Sequence, residues 1–329
     1  MRGRSLIVDG LQLAGGLVLL VVGGRTLVSS ASALAVAMGV STLVIGLTVV
    51  AFGTSAPELA VNVIAAIRGS GEVAFGNLMG SNLANVGLII GVAAIVKPLE
   101  IQGVIITREI PMMLLASLAV LVMGVDSIGG SDVNAYDRAD GLLLFLFFAV
   151  FLYYTIGDTL RSRPVDPLIE QLEEHRIRPQ ASVLRAITLI VVGLGLLTVG
   201  GQLTVAGATG LAEALSVSDA LIGLSVIAVG TSLPELSTSI IAARQGDTDL
   251  AVGNVVGSNI FNLLFVLATT STIRPVSVPA NGVLDLLAVV AMAVLLWVVC
   301  STYGGRRVTH AEGWLLLVGY VGFIAARVA

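Results

Sequence analysis

Two glutamates stand where an isolated charge is costly. Glu58 ends the stretch GTSAPE (53–58) and Glu235 ends GTSLPE (230–235); each follows a proline inside a long apolar run. A carboxylate at mid-membrane depth costs about 2.5–3.5 kcal/mol on insertion scales. Two placed together also repel, and a cation between them removes both penalties. The plainer alternative is a pair of protonated acids hydrogen-bonded in a helix bundle. Thr54 and Ser55 lie four and three residues before Glu58, so their hydroxyls share its helix face. Pro57 has no N–H, which frees the carbonyl of Gly53. Such carbonyls are tolerated within a bilayer where they line a cavity or bind something. Gly230, Thr231, Ser232 and Pro234 repeat the device before Glu235. Carboxylates, hydroxyls and loosened carbonyls are hard oxygen donors, suited to Na+ or Ca2+. A second pair of stretches, GNLMGSNLAN (76–85) and GNVVGSNIFN (253–262), adds Ser81 with Asn85 and Ser258 with Asn262, each pair four apart on one face. Asn77, Asn82, Asn254 and Asn259 read as helix caps or glue between helices. Gly76, Gly80, Gly253 and Gly257 predict close helix approach.

These residues need a scaffold that crosses a membrane. The chain has 329 residues, 56% hydrophobic and 12% charged, with mean hydropathy +1.01. A soluble domain carries about twice that charged fraction. A span needs about 20 mostly apolar residues. Ten candidates lie near 6–30, 40–67, 72–95, 107–125, 141–157, 182–209, 217–243, 249–272, 282–300 and 311–328. The fold class is therefore all-α and polytopic. The net charge of -4 gives no sign of a nucleic-acid partner, and the single cysteine, Cys300, excludes an internal disulfide. The start, MRGRSLIVDG, reads as mature chain rather than a signal peptide.

The halves repeat each other at an offset of 177, with 24 of 46 positions identical between Val40–Asn85 and Val217–Asn262. Repetition of this strength points to duplication. Each half holds five spans, an odd number, so the second copy enters the membrane in the opposite direction. This predicts two inverted-topology five-helix repeats, 1–157 and 182–329, joined by a polar linker over 158–181. Their matched segments are 40–95 and 217–272. With the N-terminus outside, ten basic residues fall on inner loops and six on outer ones. That favours an extracellular N-terminus and a cytoplasmic linker. Arg25 reads as a snorkelling anchor at an inner helix end, and every acid other than Glu58 and Glu235 as a loop or span-end residue. Asp126, Asp132, Asp137 and Asp140 read as a solvated face. Phe145, Phe147, Phe148, Phe151, Tyr153 and Tyr154 read as lipid-facing bulk and an interfacial belt.

At GTSAPE with GSNLAN, and GTSLPE with GSNIFN, the chain resembles the cation/calcium exchanger superfamily, and within it the prokaryotic sodium/calcium exchanger branch. The proton-coupled calcium branch usually shows a GNATE-type motif, which this sequence lacks. The resemblance implies Na+/Ca2+ antiport through a cluster of four cation sites. It implies that Glu58, Glu235 and the backbone carbonyls of Thr54 and Thr231 hold Ca2+. One outer Na+ site would use the Ala228 carbonyl, Ser232, Thr231 and Ser258 with Glu58. One inner site would use the Ala51 carbonyl, Ser55, Thr54 and Ser81 with Glu235. Asn85 and Asn262 would border the centre. Asn262, where potassium-dependent members carry Asp, favours K+ independence. The transported ions are Na+ and Ca2+, with no cofactor and no obligate protein partner evident. K+-dependent or H+-coupled exchange and a passive cation channel are the rivals. An enzyme is disfavoured because no nucleophile–base set lies within the spans.

Overall fold

The computed structural model describes residues 6–125, 134–161, 182–215, 230–302 and 306–328. They form α1 (Leu6–Met38), α2 (Thr42–Thr54), α3 (Ala56–Arg68), α4 (Gly71–Val96), α5 (Ile105–Met123) and α6 (Arg138–Arg161) in the first half. The second half contains α7 (Val183–Ala214), α8 (Leu233–Gln245), α9 (Thr248–Ile273), α10 (Gly282–Thr302) and α11 (His310–Val328). Helices α2 and α3 form one passage bent by 44°. The first part of the expected seventh span, through Val229, lies outside the described residues, as do most of the linker and Asp126 and Asp132.

Two short strand pairs tie the connections together and fix the parity of crossings. β1 (Leu99–Glu100) pairs with β4 (Arg307–Val308), and β2 (Ala135–Tyr136) with β3 (Val276–Ser277). The α4–α5 and α10–α11 connections therefore share one face, and α5–α6 and α9–α10 share the other. Between β2 and β3 the chain must cross an even number of times. Helices α6, α7 and α9 supply three crossings, so α8 belongs to a fourth. The architecture is an all-helical membrane fold of two five-span repeats with opposite direction.

Matched backbone features show the duplication directly. Gly69 (φ 76°) and Gly246 (φ 90°) both end their helices in the left-handed region that glycine reaches without strain. Asn85 and Asn262 each open a wide π-helical turn, at Asn85–Ile90 and Asn262–Val266. Such turns recur at functional sites. Helix α9 is buried nearly throughout, whereas α1, α6 and α7 expose most of their surface.

Helices α1 and α7 pack antiparallel, backbone on backbone. A Cβ on Gly16 would lie 2.7 Å from the Gly200 carbonyl oxygen, and one on Gly23 would lie 2.9 Å from that of Gly193. Backbone cannot yield as a side chain does, so Gly200→Val is expected to lower the melting temperature in detergent by several degrees. Gly195, with no neighbour within 4 Å among the described residues, is the internal control: Gly195→Ala is expected to melt near the wild-type temperature. Equal melting of the two variants would refute the contact.

Several expectations need correction. Helix α1 runs to Met38, beyond residue 30, so Arg25 sits within the helix rather than at its end. The following SSASALA run (29–35) is small and apolar enough to continue it. Asp9 and Glu109 are at span ends as expected, yet both are buried: Asp9 packs against Gly207 and Gly210 of α7, and Glu109 accepts from the Arg108 guanidinium at 2.7 Å. Phe145 and Phe148 face Phe265 of α9 rather than lipid, and Phe151 is 2% exposed. Phe147, Tyr153 and Tyr154 are exposed.

Candidate cation-binding site

The break between α2 and α3 positions the first half of the site. Helix α2 stops at Thr54, Ser55 turns aside at φ -85°, ψ 7°, and α3 restarts with Pro57 in its first turn. Proline is favoured there because its N–H would be unpaired anyway. The second half repeats this: Ser232 has φ -88°, ψ 6°, and Pro234 stands in the first turn of α8. Glu58 and Glu235 thus project from two helix N-termini, whose dipoles favour negative charge.

The two halves meet across the repeat. Ser55 Oγ donates to Glu235 Oε1 at 3.1 Å, and Ser81 Oγ to Glu58 Oε1 at 3.5 Å. The Thr54 hydroxyl also lies beside Glu235, and that of Thr231 beside Glu58. The two carboxylates are within electrostatic reach of each other. Ser258 Oγ donates to the Ala51 carbonyl at 3.5 Å, joining α9 to α2. Gly257 allows this approach: a Cβ there would lie 2.5 Å from the Leu47 carbonyl oxygen. Gly253 makes the matching contact with Leu43, but Gly76 and Gly80 have no neighbour within 4 Å among the described residues.

The structure therefore gathers Glu58, Glu235, Thr54, Ser55, Thr231, Ser81, Ser258 and Ala51 around one pocket. Ser232, Asn85 and Asn262 are buried in the matching positions. Ala228 lies outside the described residues. Glu58 and Glu235 are each 1% exposed. Glu58 Oε2, Glu235 Oε2, Ser232 Oγ, Asn85 Oδ1 and Asn262 Oδ1 have no hydrogen-bond partner among the described residues. A buried acceptor without a partner costs about 1–3 kcal/mol. Glu58 Oε2 and Glu235 Oε2, on carboxylates within electrostatic reach of each other, are acceptors that a cation would satisfy. No group of three His, Cys, Asp or Glu side chains forms among the described residues, so the pocket's formal charge rests on two carboxylates.

Two residues take larger parts than their sequence context indicates. Asn259 accepts from Asn85 Nδ2 at 2.9 Å, and Asn254 accepts from the Thr54 hydroxyl at 3.1 Å. Both lie in GNVVGSN, where asparagine reads equally well as a cap. Only their spacing from Ser258 hints at the pocket.

The family model described as "Sodium/calcium exchanger protein" matches residues 10–157 and 185–329. The chain belongs to the sodium/calcium exchanger family. The sodium/calcium exchanger MaX1 of Methanosarcina acetivorans is 32% identical over 97% of this chain and 98% of its own length. The inner membrane protein YrbG of Escherichia coli is 34% identical over 75% of this chain and 74% of its own. Among solved structures, the sodium-calcium exchanger NCX_Mj soaked with 10 mM Na+ and zero Ca2+ superposes with a TM-score of 0.82 at 31% identity, covering 98% of this chain and 99% of that one. The resemblance read from the two motif pairs thus extends over the whole exchanger fold, and the prokaryotic branch fits the bacterial and archaeal relatives.

Proposed function

We propose that this protein is a secondary antiporter that exchanges Na+ for Ca2+ across the cell membrane by alternating access, electrogenically and without K+. The observation that carries the reading is the pair of acids: Glu58 and Glu235, from oppositely directed repeats, lie buried within electrostatic reach of each other, each with an oxygen that has no hydrogen-bond partner among the described residues. One Ca2+ neutralises the pair. Several Na+ can occupy the same oxygens instead, and three would leave one positive charge in excess. Because the ligands are shared, the two ions exclude each other, which is the physical basis of coupling. The residues assigned to this role are Glu58, Glu235, Thr54, Ser55, Thr231, Ser232, Ser81, Ser258, Asn85 and Asn262, with the carbonyls of Ala51 and Ala228.

Alternating access is supported by a broken symmetry. A Cβ on Gly24 of α1 would lie 2.5 Å from Ile241 Cδ1 of α8. The matched positions are Gly201 of α7 and Ile64 of α3. There the nearest atoms to such a Cβ belong to Gly230, Pro234 and Leu233, at 3.8–4.0 Å. A cavity of about 590 Å³ lies between Ile64 and Gly201 and reaches Thr231. The Gly24–Ile241 contact is closed, and its counterpart between Gly201 and Ile64 is open. The α1–α7 pair meets the core at Gly24 and Gly53 through Ile241 and Leu194 side-chain methyls, but is fused internally by backbone contact. That arrangement suits a pair sliding as one body.

The repeats 1–157 and 182–329, the cytoplasmic linker 158–181 and an extracellular N-terminus complete the proposal. Lys97, Arg108, Arg306 and Arg307 cluster near the β1–β4 face, which is then cytoplasmic.

The test is radiolabelled Ca2+ uptake into proteoliposomes. An outward Na+ gradient is expected to drive uptake in K+-free buffer, not inhibited by a protonophore and accelerated by an inside-positive potential. Uptake that needs K+ or a pH gradient would assign a different coupling ion. Ca2+ flux without any counter-ion would make the protein a channel.

A further inference from the structure

Asn254 is fully buried on α9, where that helix faces α2 and α8, and it has no place in the ligand set above. Its amide is held at both ends. Oδ1 accepts from the Thr54 hydroxyl at 3.1 Å, and Nδ2 donates to Ser239 Oγ at 3.1 Å. Ser239 Oγ in turn donates to the Ala251 carbonyl at 3.3 Å.

The direction of this chain is fixed at its far end. A carbonyl only accepts, and a hydroxyl carries one proton. The Ser239 proton is committed to Ala251, so its oxygen is left to accept from an amide N–H. That requirement orients Asn254 with its oxygen toward Thr54, where at 3.1 Å it is a nearer acceptor for the single Thr54 proton than the Ala51 carbonyl at 3.4 Å. Asn254 thus draws that proton away from Glu235, which competes for the same hydroxyl, and lets Thr54 turn a lone pair toward the pocket. A hydroxyl lone pair facing a carboxylate is a contact that a cation makes favourable.

The relay is not repeated in the other half. The positions matching Thr54, Asn254 and Ser239 are Thr231, Asn77 and Asn62. Asn62 Nδ2 donates to the Glu58 backbone carbonyl at 2.8 Å, and Asn77 Nδ2 has no partner among the described residues. Thr231 thus lacks an equivalent anchor there.

We infer that Asn254 is a positioning residue: through Ser239 it fixes the Thr54 hydroxyl as a cation acceptor and so sets Na+ affinity on one side of the pocket. The inference rests on the antiport reading. The effect falls on Na+ more than on Ca2+ because Ca2+ accepts a flexible set of oxygens and can replace one neutral ligand with water.

The experiment compares Na+-driven Ca2+ uptake with Na+-free Ca2+–Ca2+ exchange in proteoliposomes. Asn254→Ala is expected to raise the half-saturating Na+ concentration about three- to tenfold, the scale of one oriented hydrogen bond. The half-saturating Ca2+ concentration in Ca2+–Ca2+ exchange is expected to stay within about twofold, on the same argument. Ser239→Ala, which releases the amide, should shift Na+ dependence in the same direction; Ser239→Thr, which keeps a hydroxyl, should restore it. Should Asn254→Ala fail to fold, the two Ser239 variants decide alone. Unchanged Na+ dependence, or equal damage to both exchange modes, would overturn the positioning role. A wild type without Na+-driven uptake would instead overturn the antiport reading itself.

Discussion

Glu58→Gln is expected to reduce Na+-driven Ca2+ uptake to the background of empty liposomes while leaving a folded, monodisperse protein. Glutamine keeps the shape and removes the charge. A unit charge about 4 Å from a second one is worth about 4 kcal/mol at an effective dielectric of 20, and the interaction doubles for a divalent ion. Even the smaller figure is about a thousandfold in affinity. The new amide also points a donor into a pocket whose unsatisfied atoms are mostly acceptors. Glu235→Gln should match it, and the double variant should be no worse than either, because both carboxylates serve one ion. Thermal melting separates ligand loss from misfolding. Ca2+ is expected to raise the wild-type melting temperature, as any ligand of the native state must. It should leave the Gln variant unmoved. Without ions, the variant should melt at or above the wild-type temperature, since one of two mutually repelling buried charges is gone. Undiminished uptake, or a retained Ca2+-induced shift, would refute the assignment.

The acids, the prolines and the repeat were legible because each is rare in its setting. A glutamate behind a proline in an apolar run has few structural explanations, and the same oddity at a fixed offset has fewer. Span positions were legible for the same reason, since crossings must be long and apolar. The strand pairing between β1 and β4 and between β2 and β3 then imposes the same parity from independent residues.

What stayed hidden depends on neighbours rather than on composition. Lipid and protein interior are both apolar, so no pattern distinguishes Phe147, which is exposed, from Phe148, which packs on Phe261 and Phe265. Asp9 looks like a solvated end residue until Gly207 and Gly210 bring α7 against it. Helix α1 outlasts its expected end because small residues such as Ser30 and Ala31 pack between helices in membranes. Asn254 and Asn259 act across the repeat interface, and contacts over such separations leave no periodic trace.

Pro57→Ala is expected to weaken Ca2+ and Na+ together, by about tenfold or more. The passage from Thr42 to Arg68 is bent by 44°, and Ser55 is the residue that leaves helical geometry. Proline at 57 enforces this twice: it lacks the N–H that would bond the Gly53 carbonyl, and its ring clashes with that carbonyl in a continuous helix. Alanine removes both obstacles and has the best helix propensity, so α2 and α3 are free to join. The Gly53 carbonyl would then be consumed within the helix. Ser55 Oγ, now 3.1 Å from Glu235 Oε1, would rotate away with the straightened backbone. A loss of that size corresponds to about 1.4 kcal/mol or more for each ion. It damages a bend that both ions need, in contrast to Asn254→Ala, which is expected to act mainly on Na+. Stability should rise rather than fall, because a broken helix gains a hydrogen bond. Pro57→Gly supplies the control: glycine lacks the ring but disfavours a helix interior by about 1 kcal/mol, so it should retain more of the bend and more of the affinity than alanine. Half-saturation constants for both ions, measured on the three proteins in proteoliposomes, give the order wild type, Gly, Ala. Affinities unchanged in the alanine variant would show that the bend is held by packing against α9, at Phe52 on Phe261, rather than by the proline.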